Sequence, residues 1–93
     1  MARVEIYTKA FCSFCTRAKH LLADKGVEAE EYDVTMGGSD RATMIQRAGG
    51  RTTVPQIFIN GRHIGGCDEL MALEMQGKLD ELLAAPRPNS GQA

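Results

Sequence analysis

The sequence predicts an α/β fold, a mixed four-stranded sheet flanked by helices in the order β-α-β-α-β-β-α. Three observations carry this reading. Short alternating apolar runs at 3–8 and 27–34 enclose a helical stretch, and such a strand–helix–strand unit makes a parallel pair. Asn60-Gly61 joins two further short runs with the strongest two-residue hairpin signal in the chain, which makes them antiparallel. Ninety-three residues allow one small core and leave no room for a second.

The elements follow in order. Arg3-Val4-Glu5-Ile6-Tyr7-Thr8 alternates and is rich in β-branched and aromatic residues, so it reads as the first strand. A helix follows from Ser13 to Lys25. Phe14, Ala18, Leu21 and Leu22 fall at helical spacing, Arg17, Lys19, His20 and Lys25 leave a basic face, and Gly26 is the stop. Val27 to Val34 alternates again as strand two. Gly37-Gly38-Ser39-Asp40 is a turn ending in an N-cap, and a second helix runs from Arg41 to Ala48, closed by Gly49-Gly50. Val54 to Ile59 is strand three, with Pro55 near its start, where a missing N–H is tolerated. Arg62-His63-Ile64 is strand four, broken by Gly65-Gly66. The third helix covers Asp68 to Gln76 with Gly77 as its stop, and a further helical piece covers Leu79 to Ala84. Residues 1–85 form the domain. Residues 86–93 are polar and Pro-bearing and read as a disordered tail.

Composition narrows the function. A formal charge of −1 argues against nucleic acid or a membrane surface as the main partner. No apolar run approaches membrane length, and the start lacks the apolar core of a signal peptide, so the expected location is cytoplasmic. Three cysteines are too few, and odd in number, for a secreted disulfide scaffold.

Cys12-Ser13-Phe14-Cys15 sits where the first strand hands over to the first helix. Two intervening residues put both cysteines on one helical face, close enough for their sulfurs to meet. Unpaired N–H groups at the helix N-terminus stabilise a thiolate at Cys12, while Cys15 lies a turn further in and feels less of that field. One attacking and one resolving thiol is what dithiol–disulfide exchange requires.

The element order, this Cys-x-x-Cys and Thr53-Val54-Pro55 resemble the thioredoxin fold. Tyr7-Thr8-Lys9, the run from Thr53 to Ile59, and Gly65-Gly66-Cys67-Asp68-Glu69-Leu70 narrow the resemblance to small bacterial-type class I dithiol glutaredoxins, across residues 3 to about 84. That resemblance implies a glutathione-dependent oxidoreductase acting on glutathionylated or disulfide-containing proteins, with Cys12 and Cys15 as catalytic residues. It implies that Cys12 attacks, that a second glutathione releases the adduct, and that Cys15 opens the dithiol route.

The same resemblance implies a glutathione site. Lys9, three residues before Cys12, is a cation for the thiolate or a glutathione carboxylate, or else a solvated surface lysine. Phe14 supplies an aromatic wall. Pro55 is expected cis, so that the backbone of Thr53 and Val54 faces an extended peptide; the alternative is a trans proline opening an edge strand. Gly66, Cys67 and Asp68 open a helix where a carboxylate can bind, with Asp68 taking the ammonium of the γ-glutamyl end or acting as a plain N-cap. Arg47 and Arg51 flank the double glycine and are read either as partners of the glycyl carboxylate or as solvated helix-end cations. Cys67 is a groove residue by resemblance and a small buried hydrophobe by its isolation.

Two positions depart from the family pattern. Ser13 stands where many dithiol members have Pro, and Phe14 where they have Tyr. Members with Ser or Gly at the first position include ones that bind a [2Fe–2S] cluster between two subunits, with glutathione thiols as further ligands. The alternative implied function is therefore a cluster-binding or carrier protein, with Cys12 as the metal ligand and a dimer in place of the expected monomer. A zinc site from Cys12, Cys15, His63 and Cys67 is disfavoured, because Gly65-Gly66 interrupts its second half.

Overall fold

The computed structural model describes residues 1–88. Eight elements follow one another: β1 (Val4–Thr8), α1 (Ser13–Asp24), β2 (Glu30–Asp33), α2 (Ser39–Arg47), β3 (Gln56–Ile59), β4 (Arg62–Gly65), α3 (Cys67–Met75) and α4 (Leu79–Ala84). The sheet runs β2-β1-β3-β4. β1 and β2 are parallel, Ile6 opposite Glu31. β1 and β3 are antiparallel, Ile6 opposite Ile57, and β3 and β4 form the expected hairpin. Asn60 and Gly61 both have positive φ, 51° and 80°, the paired left-handed conformation of a type I′ turn.

Alternate residues of the central strands face opposite ways and build two packing layers. Val4, Ile6, Ile57 and Ile59 pack against Ala18 and Leu22 of α1, Leu70 of α3, and Leu79 and Leu83 of α4. Tyr7 and Phe58 point to the other face and pack against Met44 and Ala48 beside α2. β1 is buried along its whole length because helices cover it from both sides. Among the described residues no helix is long and apolar enough to cross a membrane.

Several boundaries differ from expectation. β2 is a four-residue edge strand rather than the full 27–34 run, since pairing with β1 starts at Glu30. Gly38 caps α2, not Asp40, and its carbonyl accepts the Ala42 N–H at 3.1 Å. β4 runs one residue further than expected, to Gly65, through a register shift opposite Ile57 and Phe58. Cys67 rather than Asp68 opens α3. Phe14 is 54% exposed, so it does not join Ala18 and Leu22 in the core. Residues 86–88 are exposed without regular structure, and the Asn60 amide donates to the Pro86 carbonyl at 3.1 Å. The rest of the expected tail, 89–93, lies outside the described residues.

Candidate active site

Cys12 is the N-cap of α1, with extended backbone (φ −111°, ψ 105°). Its sulfur accepts the Cys15 N–H at 3.1 Å, the role a serine or aspartate oxygen plays at most helix starts. Negative charge on this sulfur is favoured by the free N–H groups of the first turn, and that turn contains no acidic residue to cancel the effect. The two sulfurs are joined as a disulfide, with Cα atoms 5.2 Å apart. Their exposures differ. Cys15 is 2% exposed, whereas Cys12 is only partly covered, so an incoming group meets Cys12 first.

The Val54–Pro55 bond is cis, and the Cys12 sulfur lies 4.0 Å from the Val54 carbonyl oxygen. The preceding Thr53 is held from below. Gln56 is wholly buried and its amide nitrogen donates to the Thr53 carbonyl at 3.0 Å and hydroxyl at 3.2 Å. Its amide oxygen is therefore the acceptor in the 2.6 Å contact with His63 Nε2, which must carry the proton. Burial and the nearby Arg51 cation hold the His63 pKa below its ordinary value, so the ring is neutral at pH 7.

Gly66 caps α3. With no side chain of its own to use, it donates its N–H to the Glu69 carboxylate at 2.6 Å, the backward half of a capping box. Glu69 also takes the Arg51 guanidinium at 3.1 Å. The Gly66 N–H first, and Arg51 second, hold the Glu69 carboxyl below the usual range. A Cβ on Gly66 would stand 3.3 Å from the Pro55 carbonyl, which accounts for glycine at this close approach.

These pieces enclose a cleft of about 130 Å³ lined by Phe14, Arg51, Thr53, Val54, Pro55, Gly66, Cys67, Asp68 and Glu69. Eight of the ten residues expected around glutathione thus converge on one hollow beside Cys12. Lys9 and Arg47 do not line it. Arg47 is instead engaged with the sheet. Its guanidinium donates to the buried Glu5 carboxylate at 2.9 and 3.0 Å and to the Tyr7 hydroxyl at 3.0 Å, and lies 4.0 Å from the centre of the Phe58 ring. A buried carboxylate on a central strand demands such a partner, which outcompetes a role at the cleft. Glu69 was not singled out from the sequence; the glycine–x–x–glutamate spacing from Gly66 was the available signal.

Cys67 is 5% exposed, and burial pushes its thiol pKa up, so it is protonated at neutral pH and is a poor second nucleophile. His63 stacks near Phe58 in the α2 layer while Cys67 packs in the other layer. Among the described residues no group of three or more His, Cys, Asp or Glu side chains is placed to hold a metal ion.

Comparison with known proteins agrees with this geometry. The glutaredoxin family model matches residues 4–64, more than half of the chain. Glutaredoxin 3 of Escherichia coli strain K12 is 57% identical over 83 residues, covering 89% of this chain and 99% of that protein. The solution structure of glutaredoxin from Brucella melitensis is 54% identical, with a TM-score of 0.77 and 89% of each chain covered. The crystal structure of the buckwheat glutaredoxin–glutathione complex is 34% identical, with a TM-score of 0.77, covering 88% of this chain and 76% of that one. A redox-active cysteine pair capping α1, a cis-proline loop facing it, and this degree of likeness across nearly the whole domain have one reading: the chain belongs to the glutaredoxin family of thiol–disulfide oxidoreductases.

Proposed function

We propose that this protein uses glutathione to reduce glutathione mixed disulfides through Cys12, and protein disulfides through Cys12 and Cys15 together. The observation that carries this is the partly exposed Cys12 sulfur at a helix N-terminus, beside a cleft with backbone, cationic and anionic groups for a small zwitterionic peptide. The buckwheat relative, whose solved structure is a glutathione complex, supports the choice of peptide. In the first step the Cys12 thiolate bonds to the glutathione sulfur, and the substrate thiolate leaves and takes a proton. In the second, a glutathione thiolate bonds to that same sulfur, giving oxidised glutathione and returning Cys12 as thiolate. For a protein disulfide, the Cys12 thiolate bonds to one substrate sulfur while the other leaves as a thiolate and is protonated. The Cys15 thiolate then bonds to the Cys12 sulfur, and the second substrate thiolate leaves and is protonated. Two glutathiones reduce the closed Cys12–Cys15 pair, giving oxidised glutathione. A reducing compartment, the cytoplasm, suits this direction of flow.

Within the cleft, Thr53 and Val54 offer backbone to the extended peptide, Phe14 and Pro55 form its apolar walls, and Gly66 and Cys67 bring the start of α3 to a carboxylate. Asp68 meets the ammonium and Arg51 the other carboxylate. Cys12→Ser should abolish reduction of a glutathionylated substrate in the coupled glutathione reductase assay. Substantial activity left in that variant would overturn the assignment.

A second reading rests on Ser13. It is exposed at the first position of α1 and keeps an N–H beside Cys12 that proline would lack. This chain could offer the Cys12 thiolate to a [2Fe–2S] cluster, with the remaining ligands from glutathione and a second copy. Bound there, the cluster would supply iron–sulfur redox or transfer chemistry. Iron and sulfide uptake after anaerobic reconstitution with glutathione, with apparent mass by gel filtration, tests this. Uptake should fall in Ser13→Pro; a wild-type protein that stays a colourless monomer would remove the reading.

A further inference from the structure

Single exposed apolar side chains are ordinary on a protein surface, but their grouping and backbone setting can mark an interaction site, and their placement here is uneven. Among the described residues five are exposed: Met1, Phe11, Phe14, Met36 and Met75. Two of these flank Cys12, Phe11 on the loop before it and Phe14 in the first turn of α1, and Met36 lies on a neighbouring turn. Phe11 immediately precedes Cys12 and is fully exposed, at 109% of its reference area. Phe14 follows two residues later, half-exposed, with the Arg17 guanidinium 6.0 Å from its ring centre. Met36, 94% exposed, belongs to the turn after β2, and that turn is tied to the Cys12 loop by the Ala10 N–H donating to the Thr35 hydroxyl at 2.8 Å.

Phe11 shows a second anomaly. Its φ is +57°, in the left-handed region that a bulky side chain disfavours and that glycine or asparagine adopts readily. Neither burial nor backbone geometry accounts for a phenylalanine here. The cleft does not account for it either, since Phe11 takes no part in its lining.

We propose that Phe11 contacts the protein half of a mixed-disulfide substrate, and favours extended segments carrying a large apolar side chain within two residues of the reacting cysteine. The proposal rests on the exchange reading of Cys12 and extends it from the glutathione half to the other leaving group. Its geometry follows from chain dimensions. Consecutive Cα atoms are about 3.8 Å apart, so a substrate residue one or two positions from the sulfur being displaced lies within reach of a ring next to Cys12. The chemistry is the displacement already described: the Cys12 sulfur bonds to the glutathione sulfur as the peptide thiolate departs and is protonated. The peptide is thus held past the glutathione sulfur while that bond breaks. An exposed aromatic ring offers a large apolar face that binds varied apolar side chains without demanding one shape.

The test compares glutathionylated peptides with Leu or with Ser beside the cysteine, together with the small mixed disulfide of glutathione and mercaptoethanol. Phe11→Asn removes the ring and keeps a residue that tolerates positive φ, so the loop survives. Phe11→Tyr keeps the ring. Wild type should favour the Leu peptide by about tenfold in kcat/KM, the scale expected when an exposed aromatic contact is made to one substrate and not the other. Phe11→Asn should lose most of that preference, Phe11→Tyr should retain it, and all three should reduce the small disulfide equally. Equal peptide preference in wild type and Phe11→Asn overturns the proposal. So does a parallel loss on the small disulfide in Phe11→Asn, which would place the ring's effect on Cys12 itself. Concentration-dependent dimerisation of wild type that Phe11→Asn abolishes would assign the patch to a second copy and likewise overturn it. Failure of wild type on the small disulfide would strike the exchange reading instead, and this proposal with it.

Discussion

Cys12 and Cys15 share one helix turn and differ in exposure, and that difference sorts their roles. Cys15 is buried with its N–H spent on the Cys12 sulfur. Cys15→Ser should keep the reduction of glutathionylated substrates, because glutathione resolves that adduct, and should lose most reduction of protein disulfides. Equal loss of both reactions would refute a purely resolving role. Asp68 makes a similar contrast. It is exposed at the second residue of α3, and Gly66 rather than Asp68 is the cap. Asp68→Ala should therefore leave thermal stability nearly unchanged. Losing one partner of a partly exposed charge pair costs about 1 kcal/mol, so glutathione affinity should fall roughly fivefold. Saturation kinetics in glutathione, set beside a melting curve, separate the two effects. Motif residues such as these were legible because their spacing is short and local. Arg47 was not, since its partner Glu5 lies 42 positions away and only the folded sheet brings them together.

At the scale of elements, the start of α3 is the most constrained junction in the cleft. Gly65 has φ +119°, and a Cβ there would collide with the Glu69 carboxylate that caps the helix. Gly65→Ala should cost more than about 1 kcal/mol through backbone strain. It should also push Glu69 off the Gly66 N–H and off Arg51, raising KM for glutathione. Differential scanning calorimetry and initial rates would check both; an unchanged KM would show that the cap and the cleft are independent. Element identity was readable from periodicity and turn residues, as the Asn60-Gly61 hairpin illustrates. Element ends were less so. Gly38 and Gly66 act as caps through backbone geometry rather than side chains, which leaves a weaker mark in sequence than Ser or Asp would.

Over the whole molecule, one buried charge cluster links the sheet to α2. Glu5 is 4% exposed on the central strand. Hydrogen bonds from Arg47 first, and from the Tyr32 hydroxyl, hold its carboxyl below the ordinary value against the opposing effect of burial. The Tyr32 hydroxyl is in turn pushed up to about 12, by burial and then by Glu30 and Glu5. A depressed carboxyl contributes stability above its unfolded pKa near 4.5, and that contribution is lost as pH falls through the lower folded value. Arg47→Met should destabilise the fold by about 2 kcal/mol or more at pH 7, since it removes the bidentate partner of a buried carboxylate and leaves it the Tyr32 hydroxyl and an Arg3 guanidinium 3.6 Å away. The deficit relative to wild type should shrink below pH 4.5, where Glu5 is protonated and its burial no longer opposes folding. Urea melts at pH 7 and pH 4 test this. A constant deficit would mean that Arg47 acts through its stacking on Phe58 and not through charge.

The segments expected at the cleft came from the family resemblance, whereas local sequence carried the fold class, the pairing of β1 with β2 and of β3 with β4, and the redox pair. Each depends on near neighbours: side-chain periodicity, turn conformation, and the i to i+3 geometry of a helix start. Tertiary structure alone decided the strand order, with β1 in the middle and covered on both faces. That burial makes Glu5 a core charge, and so takes Arg47 away from the cleft. Tertiary structure also decided between two expectations for Phe14, which lines the cleft as the resemblance implies rather than joining the core as its helical spacing implies, and it left Phe11 bare beside Cys12. Which face of an element is buried depends on what the rest of the chain packs against it, and that is a property of the assembled layers rather than of any single segment.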